Sequence, residues 1–588
     1  MFTLHSALAQ LSVRNDNYLF VKDGIFFVED NVNLQETDSK LHLRNDAQLL
    51  QGTGTTGNSG LGQLSIYQNG TTHDYAYNYW CSPVGNNSPV LGNENFKATQ
   101  FYDVTGLITS NTISFTDYNG TSSPLTIASY WIFTFENSDQ YSDWFHRQDT
   151  GNIAPGLGFT MKGTSGSSNN QLYDFRGKPN NGTISNSVNA DVWTLIGNPY
   201  PSAMDVVDFI HDSDNSAAIT GTLYYWEQDL SVLSHYVADY VGGYATYTIN
   251  SAGTVETFVP ATFDTYNSDG TLNTTGSSST SGKQARRYIP TGQGFMVEGS
   301  ATTTGTVRAK NTHREYYKQS DADSEFFRPT NPNDINLIEN NNTNETTVST
   351  ENTIYYDQIP AEYKRFRLNI DFNDLYTRQL VQTFHDTEAT DGFDYGLESK
   401  SPSDVSSDAF WVLENEPYVA QALSFNMVRK IPLHVNLGTN HTIRVRAFDI
   451  QNFDNNQPIY LHDKETDTYT DLRTNFFEIG LPQGTYDSRF EIVFASPNSL
   501  SIDDIVVTNI QAYQNNINGQ LIIRNPERHA FNEIVLYDML GKKVITENKL
   551  QVNESYTLNT QSLSSGIYVV AIKFNNSKSF KKKIIIEN

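Results

Sequence analysis

Carboxylates beside aromatic rings are where this chain could do chemistry. Glu227 and Asp229 follow Tyr224-Tyr225-Trp226. A glycosidase needs such a pair, one of them buried so that its pKa rises, next to rings that stack on sugar. The plainer reading is a strand whose charged end meets water. A second acidic group, Asp386, Glu388, Asp391 and Asp394, lies in DTEATDGFD, where Gly392 permits a tight turn. Oxygens gathered there would suit Ca2+, although the spacing is not that of an EF-hand and an acidic surface loop has the same composition. Tyr141, Trp144, Tyr236 and Tyr240 fall in polar stretches between strands. Exposed rings at such places would form a platform for carbohydrate or a protein contact.

Other chemistries find no constellation. The 12 histidines are dispersed, with no H-E-x-x-H and no close pair, and Cys81 is the single cysteine. A transition-metal site is therefore not expected, and no intrachain disulfide can form. Cys81 reads as a buried residue at a strand end. There is no G-x-S-x-G, and residues 163–167 (GTSGS) lack the strand-to-helix setting of a nucleophile elbow. Gly156-Leu157-Gly158-Phe159 and Gly292-Gln293-Gly294-Phe295 precede strands rather than helices, so they are not dinucleotide fingerprints. Their glycines serve positive φ or close backbone approach. No cofactor is expected beyond the Ca2+ candidate, and the chain is read as non-enzymatic.

The elements that must position these groups are strands. Tyr, Phe and Trp make up 12% of the 588 residues, and Asn, Thr, Ser and Gly fill the gaps between short apolar stretches. The best helix candidate is residues 202–210, where Met204, Val207 and Phe209/Ile210 could form one stripe. The length allows roughly three to five domains. Acidic residues outnumber basic ones 66 to 39, a net charge of −27, which disfavours nucleic acid and anionic membrane surfaces as partners. Residues 513–588 are different, with ten Lys/Arg against six Asp/Glu. No apolar run approaches the roughly 18 residues of a membrane span.

Residues 1–9 end in Ala7-Leu8-Ala9, the small-x-small form that signal peptidase cleaves, and read as the remnant of a signal peptide unless the likeness is accidental. Over 10–75, apolar pairs recur with one residue between them: Leu19/Val21, Val32/Leu34, Leu41/Leu43 and Leu64/Ile66. That suits the rungs of a parallel β-solenoid, with an antiparallel sheet as the alternative.

Residues 76–328 contain an internal duplication. Trp80-Cys81-Ser82-Pro83-Val84 matches Ile196-Gly197-Asn198-Pro199-Tyr200, Tyr130-Trp131-Ile132-Phe133 matches Leu223-Tyr224-Tyr225-Trp226, and the two G-x-G-F stretches match each other. Residues 329–353 are too poor in large apolar residues for a core and read as a linker. In 354–497, alternation such as Phe366/Leu368/Ile370 and Phe490/Ile492/Phe494 predicts half-buried antiparallel strands in a β-sandwich. Residues 459–462 and 468–472 should form a hairpin.

Residues 512–588 resemble a family. Ile534-Val535-Leu536-Tyr537-Asp538-Met539-Leu540-Gly541-Lys542-Lys543-Val544, then residues 558–563, Ser565-Gly566-Ile567-Tyr568-Val569-Val570 and Lys581-Lys582-Lys583-Ile584-Ile585-Ile586, four elements in order, resemble the C-terminal sorting domain of type IX secretion cargo in Bacteroidota. The Tyr-Pro-Asn-Pro opening of that family is missing, which leaves the domain's start and any cleavage position open. Six short strands separated by Asn, Gly and Ser turns independently predict a small Ig-like sandwich. The resemblance assigns the sorting signal to Tyr537, Asp538, Gly541, Lys542, Gly566, Tyr568, Lys581, Lys582 and Lys583. The three lysines serve equally well as a charged edge that blocks strand association.

The resemblance implies Sec export to the periplasm, recognition by the type IX translocon and a PorV-type outer-membrane barrel, and arrival at the cell surface. Segments upstream, among them Asp174-Phe175-Arg176-Gly177-Lys178-Pro179-Asn180 and Gly242-Gly243-Tyr244-Ala245-Thr246-Tyr247, resemble large surface proteins of gliding flavobacteria. The expectation is an all-β, multidomain adhesin or structural subunit of a surface assembly, whose partner is a larger adhesin or a glycan. The alternative is a secreted polysaccharide-degrading hydrolase.

Overall fold

β-Branched and aromatic residues in runs of two to eleven, cut by Asn, Asp and Gly turns, leave little besides strand formation open to this chain. A computed structural model describes residues 10–52, 57–168, 170–263, 265, 283–302, 304–329, 358–402, 405–495, 510–526, 528–548, 550–574 and 579–587. Residues 1–9 and all but Pro329 of 329–353 lie outside these. The chain forms two compact units, Met1–Ile492 and Val493–Asn588. Among the described residues only Val206–Ile210 and Ser213–Ser216 are α-helical. The expected helix over 202–210 is thus halved. Ala203–Asp205 is a strand, and the Asp205 side chain accepts from Val207 N to start the helix behind it.

The first unit begins with short parallel pairings. Leu11 pairs with Val32, Tyr18 with Lys40, Ile25 with Gln48 and Lys40 with Gln63. Each partner therefore lies about 22 residues further along the chain. Val32, Leu34, Leu41, Leu43, Leu49 and Leu64 are buried between these faces. The last of these strands, Gln63–Thr71, also pairs antiparallel with Asn170–Pro179, so this segment and the region after it share one sheet and one core.

The duplication is visible in hydrogen-bond register. In the first copy Tyr77–Cys81 pairs with Gly158–Lys162, placing Trp80 opposite Phe159 and Cys81 opposite Gly158. In the second, Trp193–Gly197 pairs with Gly294–Gly299, placing Ile196 opposite Phe295 and Gly197 opposite Gly294. One correction applies to the third matched segment. Phe133 is opposite Thr160 and Tyr224 is opposite Met296, so Phe133 corresponds to Tyr224 rather than to Trp226. A slip of two residues preserves the facing of every side chain, which is why the sequence pattern tolerates either alignment.

The copies pack against each other reciprocally. Cys81 N donates to Gly292 O at 2.8 Å, and Gly197 N donates to Gly156 O at 3.2 Å. Trp80 bridges to Gln293, and Ile196 to Leu157. Equivalent residues exchange equivalent contacts, the mark of a two-fold relationship. The paired glycines follow from it. Gly156 and Gly292 have φ of 82° and 85°. A Cβ on Gly294 would lie 2.7 Å from Trp80 O, and one on Gly158 would lie 2.7 Å from Ile196 O.

Between Lys364 and Val493 the strands form two linked sheets. Asp408–Leu413 passes from one to the other, pairing through Trp411 with Tyr418 and through Ala409 with Val435. Tyr460–Asp463 and Thr468–Asp471 form the expected hairpin. Half-burial does not hold for Lys364–Phe372, whose polar residues Arg365, Arg367, Asn369 and Asp371 are buried along with its apolar ones. The arginines reach across to the duplicated region, donating to Glu256 O and Phe258 O at 2.7 Å, so burial of the two guanidinium groups is matched by hydrogen bonds.

The second unit is a seven-stranded sandwich. Gln511–Asn515, Gln520–Arg524 and Ser555–Asn559 form one sheet; Lys543–Asn548, Phe531–Asp538, Gly566–Phe574 and Ser579–Ile586 form the other. Leu521, Ile523, Ile534, Leu536, Val570, Ile572 and Ile586 fill the space between. The strand at Gln511–Asn515 was not expected, since Ala512 and Tyr513 are its only apolar residues.

Candidate functional site

The outer face of the duplicated strands carries the most distinctive feature of the first unit, an aromatic cleft of about 870 Å3. Alternation along the strands decides which side chains reach it. Trp80 points into the core, so Tyr77 and Tyr79 point out; Phe159 points in, so Thr160 lies on the floor. The second copy contributes Trp193, Trp226, Tyr244 and Met296. Loops add Tyr130, Tyr141 and Trp144 from the first copy and His235, Tyr236, Val237 and Tyr240 from the second.

The rings form two groups. In one, Tyr77 meets Trp131 and Tyr240 edge-on at 6.1 and 6.0 Å, and Trp131 stacks on His235 at 4.8 Å. In the other, Trp193 meets Tyr224 at 4.3 Å and Tyr244 at 5.7 Å, and Tyr79 stacks on Trp226 at 6.3 Å. The Tyr79 and Tyr244 hydroxyls are 2.8 Å apart. Tyr141 and Tyr236 at the rim are 69% and 79% exposed. Large rings left facing water in one concave patch are characteristic of binding sites rather than of ordinary surface.

A lysine lies beneath one ring group. Lys162 is 1% exposed; its Nζ is 3.7 Å from the Trp131 ring centroid, 2.9 Å from His235 Nδ1, and donates to the Tyr240 hydroxyl at 2.6 Å. His235 Nε2 is 2.7 Å from Asn119 Oδ1, so the network assigns the proton of the neutral ring to Nε2. Burial pushes the Lys162 ammonium down to about 7, and burial followed by the charge of Lys162 lowers His235 to about 4. Lys162 thereby fastens the loop that carries Tyr236 and Tyr240. Its counterpart in the second copy is Glu298, held by Lys400 Nζ at 3.1 Å and the Tyr224 hydroxyl at 3.4 Å, its pKa raised by burial.

All four rings singled out from sequence, Tyr141, Trp144, Tyr236 and Tyr240, line this one cleft. Glu227 and Asp229 do not. Trp226 faces the cleft, so Glu227 faces away and accepts from Ala261 N at 3.1 Å, and Asp229 accepts from Ser231 N at 2.8 Å. Both are buried, and neither meets water as the plainer reading supposed. Asp139 is the one carboxylate on the cleft wall among the described residues.

The acidic loop does not converge either. Asp391 pairs with Arg429 at 2.8 Å, Asp394 accepts from Thr390 N and Oγ1, and Glu388 accepts from the Tyr363 hydroxyl. No interaction of Asp386 with the other three draws them together, and no three His, Cys, Asp or Glu among the described residues form a metal-sized cluster. Cys81 is buried, and no helix among the described residues is long and apolar enough to cross a membrane.

In the second unit the proposed sorting residues occupy one sheet. Asp538 Oδ1 accepts from Leu540 N and Lys542 N at 2.9 Å, closing a hairpin in which Gly541 has φ 80°. Tyr537 pairs with Val569, and Asp538 with Tyr568, whose hydroxyl donates to Ser564 O. Gly566 starts its strand opposite Ile586. Lys581, Lys582 and Lys583 are exposed on the edge strand. Tyr77, Trp193 and Lys162 were missed from sequence. The signal that could have found them is alternation within the matched copies, since Tyr77 and Trp193 are equivalent positions on the outward face.

Residues 2–494 match the model of a family described as a domain of unknown function, DUF8693. Residues 511–587 match the secretion system C-terminal sorting domain. No curated protein matches the chain. Among solved structures, Tp47, the 47-kilodalton lipoprotein of Treponema pallidum, is similar at 9% identity over 66% of this chain and 92% of that one, with a TM-score of 0.12. The BSP domain of a biofilm associated protein is similar at 7% identity over 69% and 96%, with a TM-score of 0.11.

Proposed function

The chain belongs to the DUF8693 family and ends in the sorting domain of type IX secretion cargo, and we propose that it is a cell-surface adhesin that holds a carbohydrate in its aromatic cleft without cleaving it. The export route begins with Sec and ends at the translocon and a PorV-type outer-membrane barrel, which read the C-terminal unit. The mature body then acts at the surface, alone or within a larger adhesive assembly.

The observation that carries the binding reading is the cleft itself, in which ring faces from both copies and two loops converge on one concave surface. Apolar ring faces complement the C–H faces of pyranose sugars, and the hydroxyls of the exposed rim tyrosines complement sugar hydroxyls. What favours binding over hydrolysis is the shortage of acid. Both glycosidase geometries need two carboxylates flanking the bond, whereas Asp139 alone lines the wall among the described residues.

A screen of the purified protein against immobilised polysaccharides tests this reading. Retention of a polysaccharide with no shortening of its chains is the expected result. Release of soluble oligosaccharides would instead support the hydrolase, and retention of none would remove the adhesin reading.

A further inference from the structure

We infer that the cleft is a double site built by the duplication, and that its ligand is a neutral, linear oligosaccharide lying across both halves. The inference rests on the carbohydrate reading above and adds the size and charge of what is bound.

Register supplies the first part of the argument. Tyr77 stands opposite Lys162, and Trp193 stands opposite Glu298, so the two rings occupy one position of the repeated unit. Thr160 and Met296 are likewise equivalent, and all four residues line the cleft. The reciprocal contacts of Cys81 with Gly292 and of Gly197 with Gly156 place the two-fold relationship between the halves. Tyr77 belongs to one ring group and Trp193 to the other. A single space thus holds two aromatic stations, which matches a ligand with more than one ring.

Charge supplies the second part. The repeated unit places a cation in one half and an anion in the other, and both are withdrawn from the cleft. Lys162 is held by His235 and Tyr240, and Glu298 by Lys400 and Tyr224. Among the described residues no lysine or arginine lines the wall to receive a carboxylate or sulfate, and the chain's net charge of −27 repels polyanions at a distance. Rings with hydroxyls but no charge are the chemistry that remains.

The test is titration calorimetry of the full-length protein with oligomers of one to six units of β-1,4-glucan, β-1,3-glucan, β-1,4-xylan, β-1,4-mannan and β-1,4-N-acetylglucosamine, with alginate oligomers as the charged comparison. In at least one neutral series, affinity should rise about tenfold or more between one unit and the length that spans both stations. Tyr77→Ala and Trp193→Ala should each weaken that longer ligand by about tenfold, and Tyr77→Phe and Trp193→Phe should restore most of it with unchanged melting temperature. Affinity independent of length, or loss in only one alanine variant, would overturn the double site while leaving carbohydrate binding intact. Binding of alginate alone would overturn the neutral class. Binding of no oligomer would overturn this inference, and the adhesin reading falls with it only if immobilised polysaccharides are also not retained.

Discussion

Lys162 and Glu298 occupy the same position in the two halves of a duplicated unit, each opposite an outward-facing ring, yet they do different work. Lys162 fastens a loop over one half of the cleft through His235 and Tyr240, whereas Glu298 is tied to Lys400 from the later strand Ser399–Lys400. Duplication supplied two matching floors, and divergence at this position gave each floor a different wall.

The fastening should respond to acid. The folded-state pKa values of Lys162 and His235 are both lowered, to about 7 and about 4. A lowered basic group leaves the unfolded chain holding more protons between the two pKa values, so stability rises with pH across that window. For His235 the window runs from about 4 to about 6.5, and the loop should loosen as pH falls through it. Amide exchange of residues 230–241, corrected for intrinsic rate, should be faster at pH 5 than at pH 7. His235→Gln retains an acceptor for Lys162 and should flatten that difference; an unchanged difference would show that His235 is not its source.

Lys162 itself should lose its proton near neutrality, because burial disfavours the charged form. The 13C-ε resonance of Lys162, assigned by its loss in Lys162→Met, should titrate with a midpoint near 7, while exposed lysines titrate near 10.4. A midpoint at the ordinary lysine value would mean that water reaches the amine.

The glycines at the two-fold should be intolerant in equal measure. The atoms facing a Cβ on Gly294 are backbone atoms of Trp80, and those facing one on Gly158 include Ile196 O. Backbone cannot swing aside, so Gly158→Ala and Gly294→Ala should each cost about 1–3 kcal/mol in urea unfolding. Gly392→Ala, whose nearest neighbour would be Thr390 Oγ1 at 3.7 Å, should change stability by less than about 0.5 kcal/mol.

The C-terminal unit should carry the address. Removal of residues 511–588 should leave the body inside the cell envelope, detected by fractionation and by protease treatment of intact cells. Full surface exposure of the truncated chain would contradict export through the sorting domain.

The sequence disclosed the strands, the duplication and the sorting unit because each rests on local patterns: alternation, G-x-G-F turns, and four runs of residues in a fixed order. The rim of the cleft was legible for a related reason, since Tyr141, Trp144, Tyr236 and Tyr240 stand in polar loops where a ring has no core to fill. Its floor was not. Tyr77 and Trp193 read as ordinary strand residues until pairing shows which face is covered. Glu227 misled because adjacency to Trp226 in sequence means opposite faces in a strand, and Asp229 because it lies beyond the strand's end and turns back to Ser231 N. The buried arginines at 365 and 367 were equally hidden, because each reaches a main-chain carbonyl about 110 residues away besides its side-chain partners, and a main-chain acceptor leaves no mark in a side-chain pattern.

Four of the six tryptophans, Trp131, Trp144, Trp193 and Trp226, line the cleft, and the other two, Trp80 and Trp411, are fully buried elsewhere. Intrinsic tryptophan emission is therefore a direct report from the site. Titration with the polysaccharide that the protein retains should give a saturable shift in emission, with the same midpoint as retention, and Trp193→Phe should diminish it. Retention with no change in emission would place binding outside the cleft and contradict the account.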